Sequence, residues 1–422
     1  MDKQWFRLDT AALIFPAIMK RDWVNVFRVS VTLTEPVDPE ILKEAVNALK
    51  GRFPTYYVRL KKGVFWCYLE ECSRMPYVRQ DFAYPLTHMG NRELSSCALR
   101  IFYYENRIAA EFFHVLSDGN GGNLYIQTLL EKYLELKHRV HLAPEERAMD
   151  WEAEPSEEEL EDSFLKNNPG YGSSRNDSLS YRLHGTKEPR GFRRLICGSV
   201  DTDQLHAMAR SYHCSITVFL AAVMADSIIK LQALERPVKH HKPVKITIPI
   251  DLRRLYGSKT LRNFVLTLNL GVDPRLGTYS MQDLCDSIGH QLKSKATPQY
   301  MGGMIGANVL PQQILAIKLA PLPIKNLVMG LVYNATGESQ GCINISNIGG
   351  VTLPDKVLPY VQYMDFIIGP QKTYPNNCSV ISCNGITRIN MIGMIKERTL
   401  EQLFFSKLVE LGLPVYIESN DR

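Results

Sequence analysis

The sequence has few of the patterns that mark metal-binding, nucleic-acid-binding or membrane-spanning proteins. Its nine cysteines include no C-x-x-C pair and no Cys/His spacing typical of zinc, so we expect reduced thiols and no bound metal. A compact stripe of Lys and Arg interleaved with aromatic residues is also missing, which disfavours nucleic acid as a partner. The longest uncharged apolar run, SITVFLAAVM (215–224), is too short to span a bilayer.

What is present predicts a folded protein with a large core. The chain has 422 residues, of which 45% are hydrophobic, and this length favours two domains over one. Its first residues, MDKQWFRLDTAALIF, carry charges where a secretory signal peptide has an apolar region. Together with the unpatterned cysteines, this feature predicts a cytoplasmic protein.

Charge is distributed unevenly along the chain. Between Glu145 and Asp162 there are ten carboxylates against Arg147 alone, and the remaining chain has a net charge of +14. A basic body suits an anionic partner, such as a nucleotide-bearing cosubstrate or an acidic carrier protein. A solvated surface with one acidic loop explains the same distribution.

Strand and helix patterns alternate in the first third of the chain. A β-branched strand is predicted over 24–33, and a helix over 38–51 with Asp38 as its N-cap. Two hairpins are predicted over 59–71 and 99–114, and a helix over 124–136.

The second half repeats this alternation after a change in composition between 141 and 190. We therefore expect an α/β (α+β) chain with an N-terminal unit over 1–140, an acidic and polar linker over 141–190, and a C-terminal unit over 191–422. The elements predicted in the second half are strands over 192–200, 244–251, 263–272 and 341–348, a strand pair over 379–395 turning at Asn384-Gly385, and helices over 201–212, 215–231 and from Thr399, its predicted cap, to Gly412.

The stretch AAEFFHVLSDGNGG (109–122) contains candidate catalytic residues. An apolar strand ends at His114, and Asp118 and Gly119 follow at the start of glycine-rich chain. A neutral imidazole near pH 7 is well suited to take a proton from an alcohol, thiol or amine. A histidine at a strand end is also commonly a hydrogen-bonded boundary residue, and Asp118-Gly119 is also typical of a turn into the next helix.

This stretch resembles the H-x-x-x-D-G motif of the CoA-dependent acyltransferase superfamily. That superfamily includes chloramphenicol acetyltransferase, plant BAHD acyltransferases, alcohol acetyltransferases and the condensation domains of nonribosomal peptide synthetases. Further segments resemble recurrent segments of these families in the same order over nearly the whole chain: VDPEILKEAVNALKGRFPTYYVRL (37–60), TIPIDLRR (247–254), RNFVLTL (262–268), SNIGG (346–350) and DFIIGP (365–370).

The sequence departs from two branches of this superfamily. Phe113 stands where condensation domains usually carry a first histidine, which argues against peptide-bond formation more than against acyl transfer. Ile367 and Ile368 replace the Gly-Trp of the BAHD segment. The chain is most similar to stand-alone bacterial proteins described as alcohol acetyltransferase-like.

The resemblance implies a V-shaped pair of chloramphenicol-acetyltransferase-like subdomains, each a mixed sheet flanked by helices, with a tunnel between them. It implies that His114 is the general base, that Asp118 is a structural residue paired with Arg253, and that Gly119 leaves room near the oxyanion. Ser346 and Asn347 are candidates for hydrogen bonds to the oxyanion or the acceptor. Turn residues at a strand end, and a surface arginine at 253, are the alternatives.

The resemblance further implies an O-acyltransferase that uses acyl-CoA or a phosphopantetheine thioester as cosubstrate, with no permanently bound cofactor. Its partners are then a small-molecule alcohol or amine and an acyl carrier protein. An amide-forming N-acyltransferase and a non-catalytic scaffold of the same fold are the competing hypotheses. The apolar segment 308–332 predicts core helices, a wall for a fatty acyl chain, or a peripheral contact with a membrane.

Overall fold

The structure, a computed structural model, describes residues 3–19, 25–173, 178–189, 191–336, 340–371 and 374–420. Both halves of the chain contain β-strands. They are β1 (Trp5–Arg7), β2 (Val26–Leu33), β3 (Val58–Lys62), β4 (Cys67–Glu71), β5 (Val78–Gln80), β6 (Leu99–Tyr104), β7 (Arg107–Phe113), β8 (Arg194–Asp201), β9 (Val244–Asp251), β10 (Val265–Val272), β11 (Ile343–Val351), β12 (Val361–Ile368), β13 (Asn376–Cys383), β14 (Ile386–Gly393) and β15 (Tyr416–Ser419).

Helices of very different lengths connect and cover the strands. They are α1 (Phe15–Ile18), α2 (Pro39–Ala48), α3 (Asn91–Leu94), α4 (Gly119–His138), α5 (Glu157–Leu160), α6 (Ser163–Lys166), α7 (Thr202–Ser211), α8 (Ile216–Glu235), α9 (Arg253–Tyr256), α10 (Met281–Lys295), α11 (Pro298–Gln313), α12 (Leu315–Leu319), α13 (Leu322–Thr336) and α14 (Thr399–Glu410).

Three sheets organise the described residues, and the predicted α/β class is confirmed. A five-stranded sheet has the order β12-β2-β7-β6-β5, with β5 parallel to β6 and the other neighbours antiparallel. A seven-stranded mixed sheet has the order β10-β9-β11-β13-β14-β8-β15. A small antiparallel sheet, β1-β4-β3, lies beside the first. Two hydrophobic cores form, one under each large sheet.

Strand β12 crosses from the second half of the chain into the sheet of the first. It pairs antiparallel with β2, with Asp365 opposite Ser30. Its other side is held by the C-terminal sheet, where Ser379 Oγ and Asn390 Nδ2 both donate to the Phe366 carbonyl, at 2.5 and 3.1 Å. The strand therefore joins the two large sheets. The division of the chain at 140 and 191 stays a prediction, and β12 crosses it because it comes from the C-terminal unit but lies in the N-terminal sheet.

The segment predicted as a linker, 141–190, packs against both halves where it is described. Arg52 makes a bidentate ion pair with Glu159 at 2.7 and 2.8 Å. Asp162 accepts a hydrogen bond from the Thr10 backbone at 2.7 Å. Ser156 and Glu159 form a capping box at the start of α5. These contacts hold the segment against the first half, and the Leu261 N–H, which donates to the Glu159 carbonyl at 2.9 Å, holds it against the second half.

Local patterns predicted most elements and missed one cap. Both N-terminal hairpins are confirmed, and Asn384 and Gly385 have φ angles of 50° and 76°, as a tight two-residue hairpin turn requires. The predicted cap at Thr399 is wrong, because Arg398 is the N-cap of α14 and contributes no side-chain hydrogen bond. Thr399 is instead the first helical residue.

Helix α8 is the central helix of the C-terminal core. It extends well beyond the apolar run 215–224 and is long and apolar enough, by length and composition, to cross a membrane. Within its most apolar window 61% of the residues are buried inside the fold. It packs against α10, α14 and β9, which is the environment of a core helix.

Candidate active site

His114 stands at the point where β7 leaves the five-stranded sheet. Its backbone N–H donates to the Asn25 carbonyl at 2.8 Å, which holds the residue beside the start of β2. The imidazole stacks on Phe15, with ring centroids 4.4 Å apart, and meets the edge of Phe27 at 5.3 Å. The side chain is half-buried, so aromatic rings fix the orientation of the imidazole while part of it stays accessible.

Asn263, just before β10, determines which imidazole nitrogen carries the proton. Its Nδ2 donates to Asp9 Oδ2 at 3.1 Å and to the His114 carbonyl at 3.0 Å. The amide oxygen therefore faces the ring, and Asn263 Oδ1 lies 2.9 Å from His114 Nδ1. Because an amide oxygen only accepts, Nδ1 must donate its proton, and the neutral ring keeps a lone pair on Nε2.

Asp9 is the buried carboxylate behind this pair. It is 0% exposed and accepts from the Ala12 backbone at 2.7 Å as well as from Asn263. Burial raises the pKa of Asp9 to about 6, and the nearby Arg262 guanidinium opposes that rise. Near pH 7 the carboxylate is ionised and accepts the Asn263 N–H bonds, so Asp9, Asn263 and His114 form a continuous hydrogen-bonded chain.

Burial also acts on His114 itself. Desolvation lowers the pKa of His114 below its usual value of 6.5, although the charge of Asp118 and the Asn263 hydrogen bond oppose this shift. The ring is therefore neutral at pH 7, as a general base must be.

The Asp118 side chain contacts backbone N–H groups and Arg253, and not the ring nitrogens of His114. Its side chain caps α4 by accepting from the Asn120 and Gly121 backbones at 3.2 and 3.3 Å. It also accepts from the Phe264 backbone at 2.9 Å, and Arg253 Nη2 lies 3.0 Å from Asp118 Oδ2. Arg253 is thus the partner that the resemblance implied, and the pair ties the start of α4 to the residues just before β10.

Gly119 is the first residue of α4 and lies against the junction of the two halves. A Cβ there would be 2.9 Å from Phe366 Cζ and 3.0 Å from Ile348 Cγ2. Only glycine allows this close approach, and its backbone N–H belongs to the first turn of the helix, which has no intrahelical acceptors for its N–H groups. The N-terminus of a 20-residue helix is therefore directed to this junction.

The two candidates on β11 are placed differently. Asn347 donates to Thr217 Oγ1 of α8 at 3.0 Å and accepts from the Gly349 backbone at 2.8 Å, so both ends of its amide are engaged within the C-terminal half. Ser346 and Ile348 alternate with Asn347 on the strand and share the opposite face, which meets Gly119. Ser346 is therefore the better placed of the two, and the roles of both stay predictions.

A mainly apolar cavity of about 630 Å³ lies next to Phe15, the residue whose ring stacks on the imidazole. Phe15 forms part of the cavity wall, whereas His114 is not among its lining residues. Its apolar wall is built by the segment before α1 and by α11 to α13, and its polar residues come from β9, β10, β11 and the chain after β12. Among the lining residues are Leu13, Ile14, Phe15, Trp66, Phe164, Thr247, Leu266, Asn269, Pro311, Ile324, Val328, Met329, Asn344, Gln371 and Tyr374.

Sequence reasoning did not identify Asn263, Asp9 or Phe15. Asn263 lies inside RNFVLTL, a segment that the resemblance included, but nothing in its local pattern pointed to an imidazole 149 positions earlier. The basic loop around 239–242 is also explained by structure, since His241 is buried and its Nε2 lies 3.0 Å from the Arg236 carbonyl. In the part of the chain that the structure describes, no group of three or more His, Cys, Asp or Glu residues is arranged to hold a metal ion.

The whole chain was compared with known proteins and is similar to several solved structures. No model of a known protein family matches the sequence, and no curated protein matches it either. TRI101 from F. graminearum, solved with ethyl coenzyme A, is similar with a TM-score of 0.66 and 10% identity over 98% of this chain and 100% of its own.

Two further structures are similar over nearly their whole length. Polyketide synthase associated protein 5 from Mycobacterium tuberculosis has a TM-score of 0.62 and 15% identity, covering 96% of both chains. The wax ester synthase/diacylglycerol acyltransferase from Marinobacter aquaeolei VT8 has a TM-score of 0.55 and 14% identity, covering 96% of this chain and 100% of its own. The chain therefore has the two-domain fold of these structures, which is the chloramphenicol-acetyltransferase-like fold predicted from the sequence.

Proposed function

We propose that this protein transfers an acyl group from a thioester, acyl-CoA or acyl-phosphopantetheine, to a hydroxyl acceptor, with His114 as the general base. The observation that supports this most is the hydrogen bond between Asn263 Oδ1 and His114 Nδ1. It leaves Nε2 unprotonated on a half-buried ring that stays neutral at pH 7 and stacks on Phe15, a wall residue of the cavity. A general base needs each of these properties.

The reaction proceeds without a covalent enzyme intermediate. His114 Nε2 takes the hydroxyl proton as the acceptor oxygen attacks the thioester carbonyl, and a tetrahedral oxyanion forms. When the C–S bond breaks, the imidazolium returns its proton to the leaving thiolate, so the ring ends neutral and the free thiol is released. General-base assistance of this kind contributes about 10² to 10⁴ in rate.

The positive charge that develops on His114 and the negative charge on the oxyanion have different partners. The imidazolium keeps its Nδ1–H bond to Asn263, whose amide is held in turn by the Asp9 carboxylate. Asp118 already accepts from the Asn120 and Gly121 N–H groups of the first turn of α4, so the Gly119 N–H is the backbone donor proposed for the oxyanion. Removing one oxyanion donor typically costs about 10² to 10³ in rate.

Solved structures of the same fold support a thioester as the donor. TRI101 was solved with ethyl coenzyme A and, in another complex, with coenzyme A and T-2 mycotoxin, a small molecule. The excess of basic residues outside the acidic segment suits either the phosphates of CoA or an acidic carrier protein. The mainly apolar cavity suits a hydrophobic acyl chain or acceptor.

The experiment is a thiol-release assay with acetyl-, octanoyl- and palmitoyl-CoA against a panel of alcohols and amines. Wild-type protein should release free CoA only when an acceptor is present, and the product's mass should identify an ester. His114→Ala should lower kcat by about 10²-fold or more, because the general base is lost. His206→Ala, at an exposed histidine on α7, is the matched control and should keep wild-type turnover.

Each other outcome has a defined meaning. Equal turnover by His114→Ala would remove His114 as the base. Turnover with amines alone would replace ester formation with amide formation. Turnover only with a carrier-bound thioester would exclude free CoA as the donor. If neither donor supports transfer to any acceptor in the panel, the non-catalytic scaffold is the better description.

A further inference from the structure

Large apolar side chains are exposed together where α12 and α13 lie beside the tip of the β3–β4 hairpin. Leu315, Leu319 and Leu327 are 67%, 63% and 66% exposed, and Val64 at the hairpin tip is 71% exposed. Soluble surfaces seldom gather so many, and such a patch usually marks a binding site. We call this surface the apolar patch, formed by Val64, Phe65, Ile314, Leu315, Leu319, Ile324, Leu327 and Val328.

The two parts of the apolar patch are held together by specific contacts. The Leu322 backbone donates to the Val64 carbonyl at 2.9 Å, which fixes the start of α13 to the hairpin tip. The Lys325 ammonium donates to the Phe65 carbonyl at 3.0 Å and lies 3.4 Å from the centre of the Trp66 ring. Lys325 is thus folded inwards, and its charge does not interrupt the apolar patch.

The apolar patch is continuous with the cavity beside His114. Ile324 and Val328 are 54% and 49% exposed, and both also line the cavity. Ile317 and Met329, from the same two helices, continue the lining inwards. One face of α12 and α13 therefore meets solvent while the adjoining face forms the cavity wall, and Ile324 and Val328 lie where the two meet.

Charge around the apolar patch favours a negatively charged lipid surface over an acidic or neutral partner. Residues 298–336 contain no Asp or Glu, and their two charged residues are Lys318 and Lys325. Lys318 is exposed between Leu315 and Leu319. Apolar side chains that enter the interface, beside an exposed lysine such as Lys318 that reaches anionic headgroups, are the combination by which peripheral proteins bind membranes.

We propose that the apolar patch docks this protein on the surface of an anionic lipid bilayer. Docking would bring Ile324 and Val328, at the rim of the cavity, to the level of the acyl chains. A lipid-derived acyl donor or a long-chain alcohol would then enter the cavity from the bilayer without crossing water. The docking itself is independent of the proposed reaction, whereas this route for the substrate rests on it.

Vesicle co-sedimentation of the full chain tests docking without any turnover. The probes are vesicles of phosphatidylcholine alone and of phosphatidylcholine with phosphatidylglycerol in equal amounts. Wild-type protein should sediment with the mixed vesicles, and added salt should weaken this binding. The triple variant Leu315→Gln, Leu319→Gln, Leu327→Gln should bind at least about tenfold more weakly, since binding scales with buried apolar area.

The matched control replaces three equally exposed apolar residues elsewhere, Leu234→Gln, Leu276→Gln and Tyr416→Gln, which are 72%, 81% and 69% exposed. It should sediment like the wild type, and thermal melts should show that both triple variants fold. Wild-type protein that stays in the supernatant, or a patch variant that binds as well as the control, overturns the proposal. Self-association that the patch variant alone abolishes, without vesicle binding, would assign the surface to a second copy of the chain.

Discussion

Asn263 contacts His114 at two points, with Oδ1 2.9 Å from the ring Nδ1 and Nδ2 donating to the backbone carbonyl at 3.0 Å. The second contact, together with the bond to Asp9, prevents the amide from being reversed. A single side chain from the second half thus fixes both the ring and the backbone of a residue from the first half. In this arrangement a neutral amide, and not the motif aspartate, orients the imidazole.

The first prediction concerns Asn263→Ala. Loss of the amide oxygen removes the acceptor that selects the Nδ1–H tautomer, so kcat should fall by about tenfold to 10²-fold, a part of the full general-base contribution. The Asn263 bond also raises the pKa of His114 against the lowering by burial. Its removal should therefore shift the acid limb of kcat/KM to lower pH, because the base is active only when unprotonated.

A pH profile of kcat/KM measures both effects at once. Asn269→Ala provides the comparison, since Asn269 lies on β10 and lines the same cavity but is bonded to Thr247 and not to the imidazole. That variant should change KM and leave the acid limb where the wild type has it. An unshifted limb in Asn263→Ala would mean that the amide acts only as a structural residue.

The local parts of this fold were predictable from sequence because their causes are local. Asp38 caps α2 as expected, accepting from the Glu40 and Ile41 backbones, and the hairpin turn at Asn384-Gly385 carries residues suited to positive φ. Strand β12 was not predicted, because its pairing with β2 depends on residues more than 300 positions away. Nothing in the sequence near Asp365 indicates which sheet the strand joins.

In the candidate site, too, the residues of a local motif were predictable and those that depend on long-range packing were not. His114, Asp118 and Gly119 form a contiguous motif, and resemblance was enough to select them along with Arg253. The contacts that orient the imidazole span 149 positions, between His114 and Asn263, and 254 positions, between Asn263 and Asp9. Only the packing of the two halves brings them together, so periodicity and spacing carried no signal for them.

A second prediction concerns Gly121, in the first turn of α4. A Cβ there would lie 2.5 Å from the Leu261 carbonyl oxygen and closer still to Ser117 Oγ. Alanine improves helix propensity by about 1 kcal/mol, but overpacking against a backbone atom costs about 1–3 kcal/mol and leaves no flexible group to move. Gly121→Ala should therefore lower the free energy of unfolding by up to about 2 kcal/mol.

Chemical denaturation measures this change. Gly51→Ala is the control, because a Cβ at Gly51 would meet no atom within 4 Å, and its stability should stay within about 0.5 kcal/mol of the wild type. Equal stability of the two variants would show that the loop before β10 yields easily to α4.

The last prediction follows from the raised pKa of Asp9, which is about 6 in the folded protein against 3.8 for the ordinary carboxyl. Between these pH values the folded state holds a proton that the unfolded state has released. Stability must then decrease as pH rises through this window, by about 3 kcal/mol if the whole difference is expressed. Asp9→Asn removes this term, so its stability should depend less on pH between 4 and 6.

The same variant should lose activity, which separates the role of Asp9 at the site from its effect on stability. An amide at position 9 has one oxygen where the carboxylate has two, so it cannot accept from both Ala12 N–H and Asn263 Nδ2 as Asp9 does. When its N–H₂ group faces Asn263, the two facing donors favour reversal of the Asn263 amide. A reversed amide donates to His114 Nδ1, moves the ring proton to Nε2 and removes the lone pair needed by the base. Denaturation curves from pH 4 to 7, with kcat at pH 7, test both effects, and a fully active Asp9→Asn would exclude Asp9 from orienting the base.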